Sequence, residues 1–264
     1  MRFATALLRH EPLLIEPRLL TSFVERCGWY QEAMAEIYGE PPKPRVEDGI
    51  GIVPICGPIG QGLMPIEKMW GACDVLDAAA AVEDFAQDNK VKALLLEIDS
   101  PGGTLSGVPE LGELVAEFPK PTFAYTQGMA CSAAYWIGSR ADSIFCTPSA
   151  DVGSIGVFTA WLNVTKWMEL NGLFTEMVKA GTYKAMGYPG TDLTDEQRAL
   201  IQARVDQVHV MFKDAVTRKR RFVDPGSMEG QSFYGGEAAQ RGLVTATVPN
   251  RAAMLARIAQ AAAG

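Results

Sequence analysis

The run Val91-Lys92-Ala93-Leu94-Leu95-Leu96-Glu97-Ile98 is nearly continuous in apolar residues and stops at Asp99-Ser100-Pro101-Gly102-Gly103. An apolar run of strand length, without the polar alternation of a half-exposed strand, reads as a strand buried on both faces, as in parallel sheets covered by helices. The Pro-Gly-Gly turn ends it. Val108, Leu111, Val115 and Phe118 then recur at steps of three and four, the spacing of one helix face, and deliver the chain to a strand at residues 122–126. Strand, turn, helix and strand in this order make an α/β unit.

The alternation continues on both sides, which predicts an α/β fold of wound β-β-α units with a mostly parallel sheet flanked by helices. Residues 50–55 predict the first strand and 75–88 a helix; a small-residue helix follows Ser132 to about Arg140. Strand signals follow at 144–147, 155–158 and 174–179, with a helix at 161–170. Thr194-Asp195-Glu196-Gln197 is a capping box, and Ile201, Val205, Val208, Phe212 and Val216 form the apolar stripe of a long helix. Arg218-Lys219-Arg220-Arg221 closes that helix, where cations suit the negative end of the dipole. A short helix at 237–241, a strand at 243–248 and a helix at 251–263 complete the expectation.

Leu13, Leu14, Leu19, Leu20, Phe23 and Val24 give the first forty-odd residues a helical reading, ended by Pro41-Pro42-Lys43-Pro44. The expected organisation is therefore an N-terminal helical arm and proline-rich linker over 1–47, and one large domain over 48–264. A chain of 264 residues is near the upper size for a single core, and 48% hydrophobic with 21% charged residues excludes wholesale disorder. The 24 basic and 31 acidic residues give a net charge of −7, which argues against a nucleic-acid or anionic-membrane partner. No apolar stretch approaches the ~20 residues that span a bilayer, and no signal-peptide core follows Met1, so no membrane anchor is expected. Cys27, Cys56, Cys73, Cys131 and Cys146 are odd in number and contain no C-x-x-C pair, which reads as reduced thiols in a cytoplasmic protein with no zinc site.

Only His10 and His209 are histidines, so a histidine triad has few candidates; no G-x-S-x-G, H-E-x-x-H, Walker or G-x-G-x-x-G motif occurs either. Gly57-Pro58-Ile59-Gly60-Gln61-Gly62 lacks the P-loop lysine and reads as a flexible loop. Ser132 stands where Gly128 opens a helix, beside unpaired backbone N–H groups. That place suits a nucleophile, but taken alone it suits a plain N-cap better, because capping serines are common. The Gly102-Gly103 turn can bring amides close to a substrate carbonyl, or can be glycine-rich for steric reasons alone.

If Ser132 attacks, it needs a base, and with histidine scarce Lys184 is the best placed residue. A free lysine, with its pKa near ~10.4, is protonated at neutral pH, so the role requires burial. Tyr183, Ala185, Met186 and Tyr188 could strip its water; the alternative is a surface loop lysine. Cys131 with His209 would be a cysteine-protease reading, but Cys131 points about 100° from Ser132 on a helix. The strip between Gly60 and Gly71, with Leu63, Met64, Ile66, Met69 and Trp70, either lines a groove or an oligomer contact or packs as a core loop.

Six motifs in order carry a family resemblance: Asp99-Ser100-Pro101-Gly102-Gly103, Gly128-Met129-Ala130-Cys131-Ser132-Ala133-Ala134-Tyr135, Gly153-Ser154-Ile155-Gly156-Val157, Gly181-Thr182-Tyr183-Lys184, Phe233-Tyr234-Gly235-Gly236-Glu237-Ala238 and Gly242-Leu243-Val244. Over residues 50–248 the chain resembles signal peptide peptidase A-type serine proteases, whose catalytic domain has the Clp-protease/crotonase-like fold. The resemblance implies Ser132 as nucleophile, Lys184 as general base and Ser154 as the hydroxyl that orients the lysine. It implies an oxyanion hole from Gly102 or Gly103 with the Ala133 amide, and no metal or cofactor.

The N-terminal arm and the absence of a membrane segment resemble the tailed-phage or prophage branch, whose head-maturation proteases trim scaffold and capsid proteins. The implied partners are a polypeptide substrate and further copies of the chain, with no nucleic acid. The implied location is the bacterial host cytoplasm or the phage procapsid. The competing readings are a cytoplasmic signal-peptide or quality-control peptidase, a non-catalytic capsid assembly protein, and a crotonase-like acyl-CoA enzyme.

Overall fold

The computed structural model describes residues 13–15 and 42–262. The helical expectation for residues 1–12 and 16–41, with Cys27 and His10, lies outside the described residues. Elements are numbered here in chain order: β1 (Leu13–Ile15), β2 (Arg45–Glu47), β3 (Ile50–Cys56), β4 (Ile59–Gly60), α1 (Pro65–Met69), β5 (Cys73–Asp74) and α2 (Val75–Gln87). Then come β6 (Ala93–Asp99), β7 (Gly102–Thr104), α3 (Val108–Ala116), β8 (Thr122–Thr126), β9 (Met129–Cys131) and α4 (Ala133–Ser139). The chain ends with β10 (Ser143–Cys146), β11 (Asp151–Gly153), α5 (Thr165–Leu170), α6 (Asp195–Lys219), β12 (Ser232–Tyr234), α7 (Gly235–Gln240), β13 (Ala246–Thr247) and α8 (Arg251–Ala262).

The main sheet runs β13-β10-β8-β6-β3-β2, parallel throughout except for the antiparallel edge strand β2. Alternate residues of its central strands enter two different cores. Leu94, Leu96 and Ile98 pack with Val53, Ile55 and Ala124 under α2, α3, α4 and α6. Ala93 and Leu95 pack with Ile50, Ile52, Phe123 and Phe145 under α8, through Met254 and Ile258. This two-sided burial is why the Val91–Ile98 run carries almost no polar alternation; each fully buried leucine contributes about 1.5–3 kcal/mol. Glu97 is the polar exception, and its carboxylate accepts from Arg45 of β2 and Arg251 of α8, which also pair with Glu47. Four charges thus join the edge strand, the centre of the sheet and the last helix.

Each of β6 and β8 ends in a tight turn, a short second strand and a helix, the expected β-β-α unit. The short strands form two smaller sheets, β1-β7-β4-β5 and β12-β11-β9, above the carboxyl ends of the main strands. In open parallel sheets, ligands bind at those carboxyl ends.

Several local expectations are corrected. Residues 57–62 are not a loose loop: Ile59 and Gly60 form β4, and the Ile59 carbonyl lies so close to Gly103 that a Cβ there would sit 1.9 Å from it. Leu13 and Leu14 belong to a strand, not a helix, because β7 offers them an edge. Arg45–Glu47, within the span read as linker, pairs with β3. The strand expected at 155–158 is instead β11, which ends where Ser154 turns to a φ of 52°. No strand forms at 174–179; Phe174 and Val178 have no ladder partner among the described residues and are 81% and 98% exposed.

Candidate active site

Three loops that follow β6, β8 and β10 lie side by side, joined through their backbones. Ser100 N donates to Met129 O at 3.0 Å and Cys131 N returns to Ser100 O at 3.1 Å. Asp151 N donates to Gly128 O at 2.9 Å, and Ser132 N to Gly153 O at 2.8 Å. Asp99 Oδ1 accepts from Met129 N at 3.1 Å, and a Cβ on Gly128 would stand 2.3 Å from that oxygen, so glycine is required there. The result is a platform with Ser132 at its centre.

Ser132 is 1% exposed and has φ 55° and ψ −121°, a conformation that L-residues rarely adopt outside tight functional turns. Its carbonyl accepts the first helical bond, from Trp136 N at 2.9 Å, so the side chain stands at the mouth of α4 and makes no cap bond of its own. The plain N-cap alternative therefore fails: a capping serine bonds an amide of the first turn. The strand-turn-helix corner places Ser132 between β9 and α4 without the G-x-S-x-G sequence.

Helix α4 is held rigidly. All seven of its residues are buried, Tyr135 Oη donates to Leu243 O at 2.8 Å, and Trp136 stacks on Phe212 of α6 with centroids 4.7 Å apart. Burial pushes the Tyr135 phenol well above its usual range. The Ala133 amide lies in the first turn of α4, where helical N–H groups have no partner within the helix.

Gly102, with φ 100°, begins β7 two residues beyond Ser100. Its N–H donates to Ser100 Oγ at 3.1 Å, and that hydroxyl donates in turn to Gly57 O at 2.6 Å. Ser100 is completely buried, and it fixes the glycine turn through a hydroxyl that sequence reasoning named only as part of a motif. A serine immediately before Pro-Gly-Gly at the end of a buried strand was the available signal.

Ser154 is 6% exposed with φ 52°, and its amide donates to Gln231 O at 2.7 Å, next to the β11–β12 pairing. The structure therefore brings together Ser132, Ser154, Gly102, Gly103 and Ala133. It does not bring in Lys184. That residue is exposed in a turn in which its amide donates to Gly181 O at 3.2 Å, and no hydrogen bond joins its Nζ to Ser132 Oγ among the described residues. Tyr183 and Tyr188 are about half exposed, so the expected dry surroundings of Lys184 are not formed by this chain alone.

His209 and Cys131 do not pair. His209 Nε2 lies 2.8 Å from Met228 O and 3.2 Å from Ile155 O, while Cys131 Sγ faces Asp151 O at 3.6 Å. The thiols of Cys56 and Cys146 are pushed up to about 11 by burial, which makes them poor nucleophiles. The basic end of α6 is also structural: Arg220 donates to the carbonyls of Ala141 and Asp142, and Lys219 pairs with Asp142 at 2.6 Å.

A buried serine with a positive φ thus lies among backbone amides at the carboxyl end of a parallel sheet. The family model for peptidase family S49 matches residues 116–263, a span that contains Ser132, Ser154 and Lys184. The chain belongs to this family of serine peptidases. It is 30% identical over 200 residues to the capsid assembly protease C of Escherichia phage lambda, covering 71% of this chain and 45% of that protein. It is 28% identical over 177 residues to the head-tail preconnector protein GP5 of Enterobacteria phage P21, covering 65% and 35% respectively. The chain spans about half the length, or less, of these relatives. Among solved structures, an enoyl-CoA hydratase/isomerase family member aligns with a TM-score of 0.49 and 16% identity, covering 85% of this chain and 77% of that one. Among the described residues, no helix is long and apolar enough to cross a membrane.

Proposed function

We propose that this chain is an endopeptidase that cleaves capsid or scaffold polypeptides through a Ser132–Lys184 dyad. Ser132 Oγ attacks the scissile carbonyl while Lys184, as a neutral amine, takes its proton. The oxyanion is stabilised by the Ala133 amide with one from the Gly102-Gly103 turn, and Lys184 returns the proton to the leaving amine. Water, deprotonated by the same amine, then releases the acyl group from Ser132. Ser154 orients the lysine. The observation that carries this reading is the strained Ser132 corner, and the two phage relatives support the substrate class.

The lysine must reach the serine and lose water. Residues 160–193 supply a reason for it to do so: Leu162, Leu170 and Phe174 are each more than four-fifths exposed, an apolar surface that a second copy of the chain would cover. Assembly into a homo-oligomer then buries Lys184 together with its loop, in the host cytoplasm or the procapsid where the substrate is found.

Mass spectrometry of an unfolded protein and of a capsid scaffold, incubated with the wild type, Ser132→Ala and Lys184→Ala, tests the reading. Cleavage by the wild type alone supports the dyad. Identical fragments from all three, or none from any, overturns it and favours a non-catalytic assembly protein.

A further inference from the structure

We propose that residues 13–15 of this same chain occupy the outer edge of β7, beside Ser132, as a built-in competitor for an extended substrate peptide. The inference rests on the peptidase reading and extends it to what fills the site. β7 has three residues and is paired on one side with β4 through Ile59 and Gly103. On its other side stands β1, the outermost strand of the order β1-β7-β4-β5. Remove β1, and β7 presents a row of unpaired N–H and C=O groups, the template for strand addition by any extended peptide.

The register runs antiparallel, with Leu13 opposite Thr104, Leu14 opposite Gly103 and Ile15 opposite Gly102. The segment therefore advances toward the Gly102 end of β7. That is the nucleophile end, since Gly102 is two residues from Ser100, whose carbonyl holds the amide of Cys131, the neighbour of Ser132. Backbone pairing gives affinity without reading side chains, so whatever extended polypeptide this edge accepts must compete with β1. Occupancy from the same chain reduces apparent affinity for another peptide by the fraction of molecules whose edge is vacant.

The test uses the full chain with Ser132→Ala, so that nothing turns over, with and without Leu13→Pro and Leu14→Pro together. In an antiparallel pair only one of two successive residues aims its N–H at the partner strand, so replacing Leu13 and Leu14 together removes at least one donor of the three-residue segment whichever set points at β7. Two readouts are taken: hydrogen exchange at the Gly103 and Thr104 amides, and binding of a fluorescent synthetic copy of residues 9–20. Faster exchange in the double-proline chain, reversed by the peptide, with peptide affinity raised about tenfold or more, is the expected result. Unchanged exchange and unchanged affinity overturn the proposal. Peptidase activity, measured separately with Ser132 intact, keeps the two readings apart. Shifts in exchange and affinity without cleavage by any chain would leave the docking edge standing and remove the peptidase; cleavage without those shifts would do the reverse.

Discussion

Ser132 and Ser154 leave the β9–β11 ladder at the same rung: Ser132 N donates to Gly153 O at 2.8 Å, and the two serines turn to φ values of 55° and 52°. Two adjacent strands thus end in parallel, strained corners, and each corner carries a hydroxyl.

Strain at Ser132 has a measurable signature. Ser132→Gly and Ser132→Ala both remove the hydroxyl, but only glycine relaxes at this φ, so the glycine variant is expected to be more stable than the alanine one by about 1 kcal/mol. Urea denaturation of the pair reads the difference. Equal midpoints would mean the corner stores no strain.

Lys184 is exposed, so Lys184→Ala is expected to change the unfolding midpoint hardly at all, within about 0.5 kcal/mol. Peptide hydrolysis by the same variant is expected to fall by about a thousandfold or more, as for loss of a general base acting with its nucleophile. Retained activity would take the lysine out of the mechanism.

Ser100→Ala leaves Gly57 O and Gly102 N without their shared hydroxyl in a buried place. The expected cost is about 1–3 kcal/mol of stability, together with a lower kcat and little change in KM, because the glycine turn loses its anchor. A variant with wild-type kcat would show that Ser100 only supports the fold.

Acid should loosen the structure through two carboxyls. Burial opposes the charge of Asp142, yet bonds from Lys219 Nζ, Thr122 N and Thr122 Oγ1 outweigh it and hold this carboxyl below its usual range. Asp74 is also lowered, its burial outweighed by the amides of Leu76, Leu63 and Gly62. A depressed carboxyl contributes stability that is complete above its unfolded value of about 3.9 and lost as pH falls toward its folded value. Urea midpoints are therefore expected to hold steady above about pH 5 and drop below pH ~4, with a shallower drop in Asp142→Asn.

Thiol reactivity should follow burial. Cys56 is pushed up to about 11 and Cys73 to about 12, chiefly by desolvation, so both stay protonated at pH ~8. A disulfide reagent is expected to label these half-buried thiols slowly in the native protein and fast once urea is added; equal rates in the two conditions would contradict the raised values.

The strands and helices around the site were legible because each obeys one local rule. Ala93–Asp99 and Thr122–Thr126 are apolar on both faces, and Asp195–Lys219 starts at the capping box that its sequence spells, Thr194 and Gln197 bonding one another. Ser132 was legible as a helix-start serine, but its φ was not, since that value comes from the meeting of three loops far apart in sequence. Ser100 was hidden for the same reason: its partner Gly57 lies 43 residues away. Residues 13–15 read as helix because leucine spacing cannot reveal an open strand edge elsewhere in the fold. Lys184 was found by elimination among side chains, and its exposure reflects a loop whose apolar residues find no covering within one chain.

The four charges that join Arg45, Glu47, Glu97 and Arg251 bear on where this polypeptide can be shortened. Helix α8 looks like a dispensable tail beyond the last strand, but it supplies Arg251 to both carboxylates and roofs Leu95 and Phe123 with Met254 and Ile258. Cutting before it would uncover one side of the sheet and leave Glu47 and Glu97 to share Arg45 alone. The minimal folding unit therefore includes Arg251 through Ile258, and expression boundaries drawn at the end of β13 would yield an aggregating fragment.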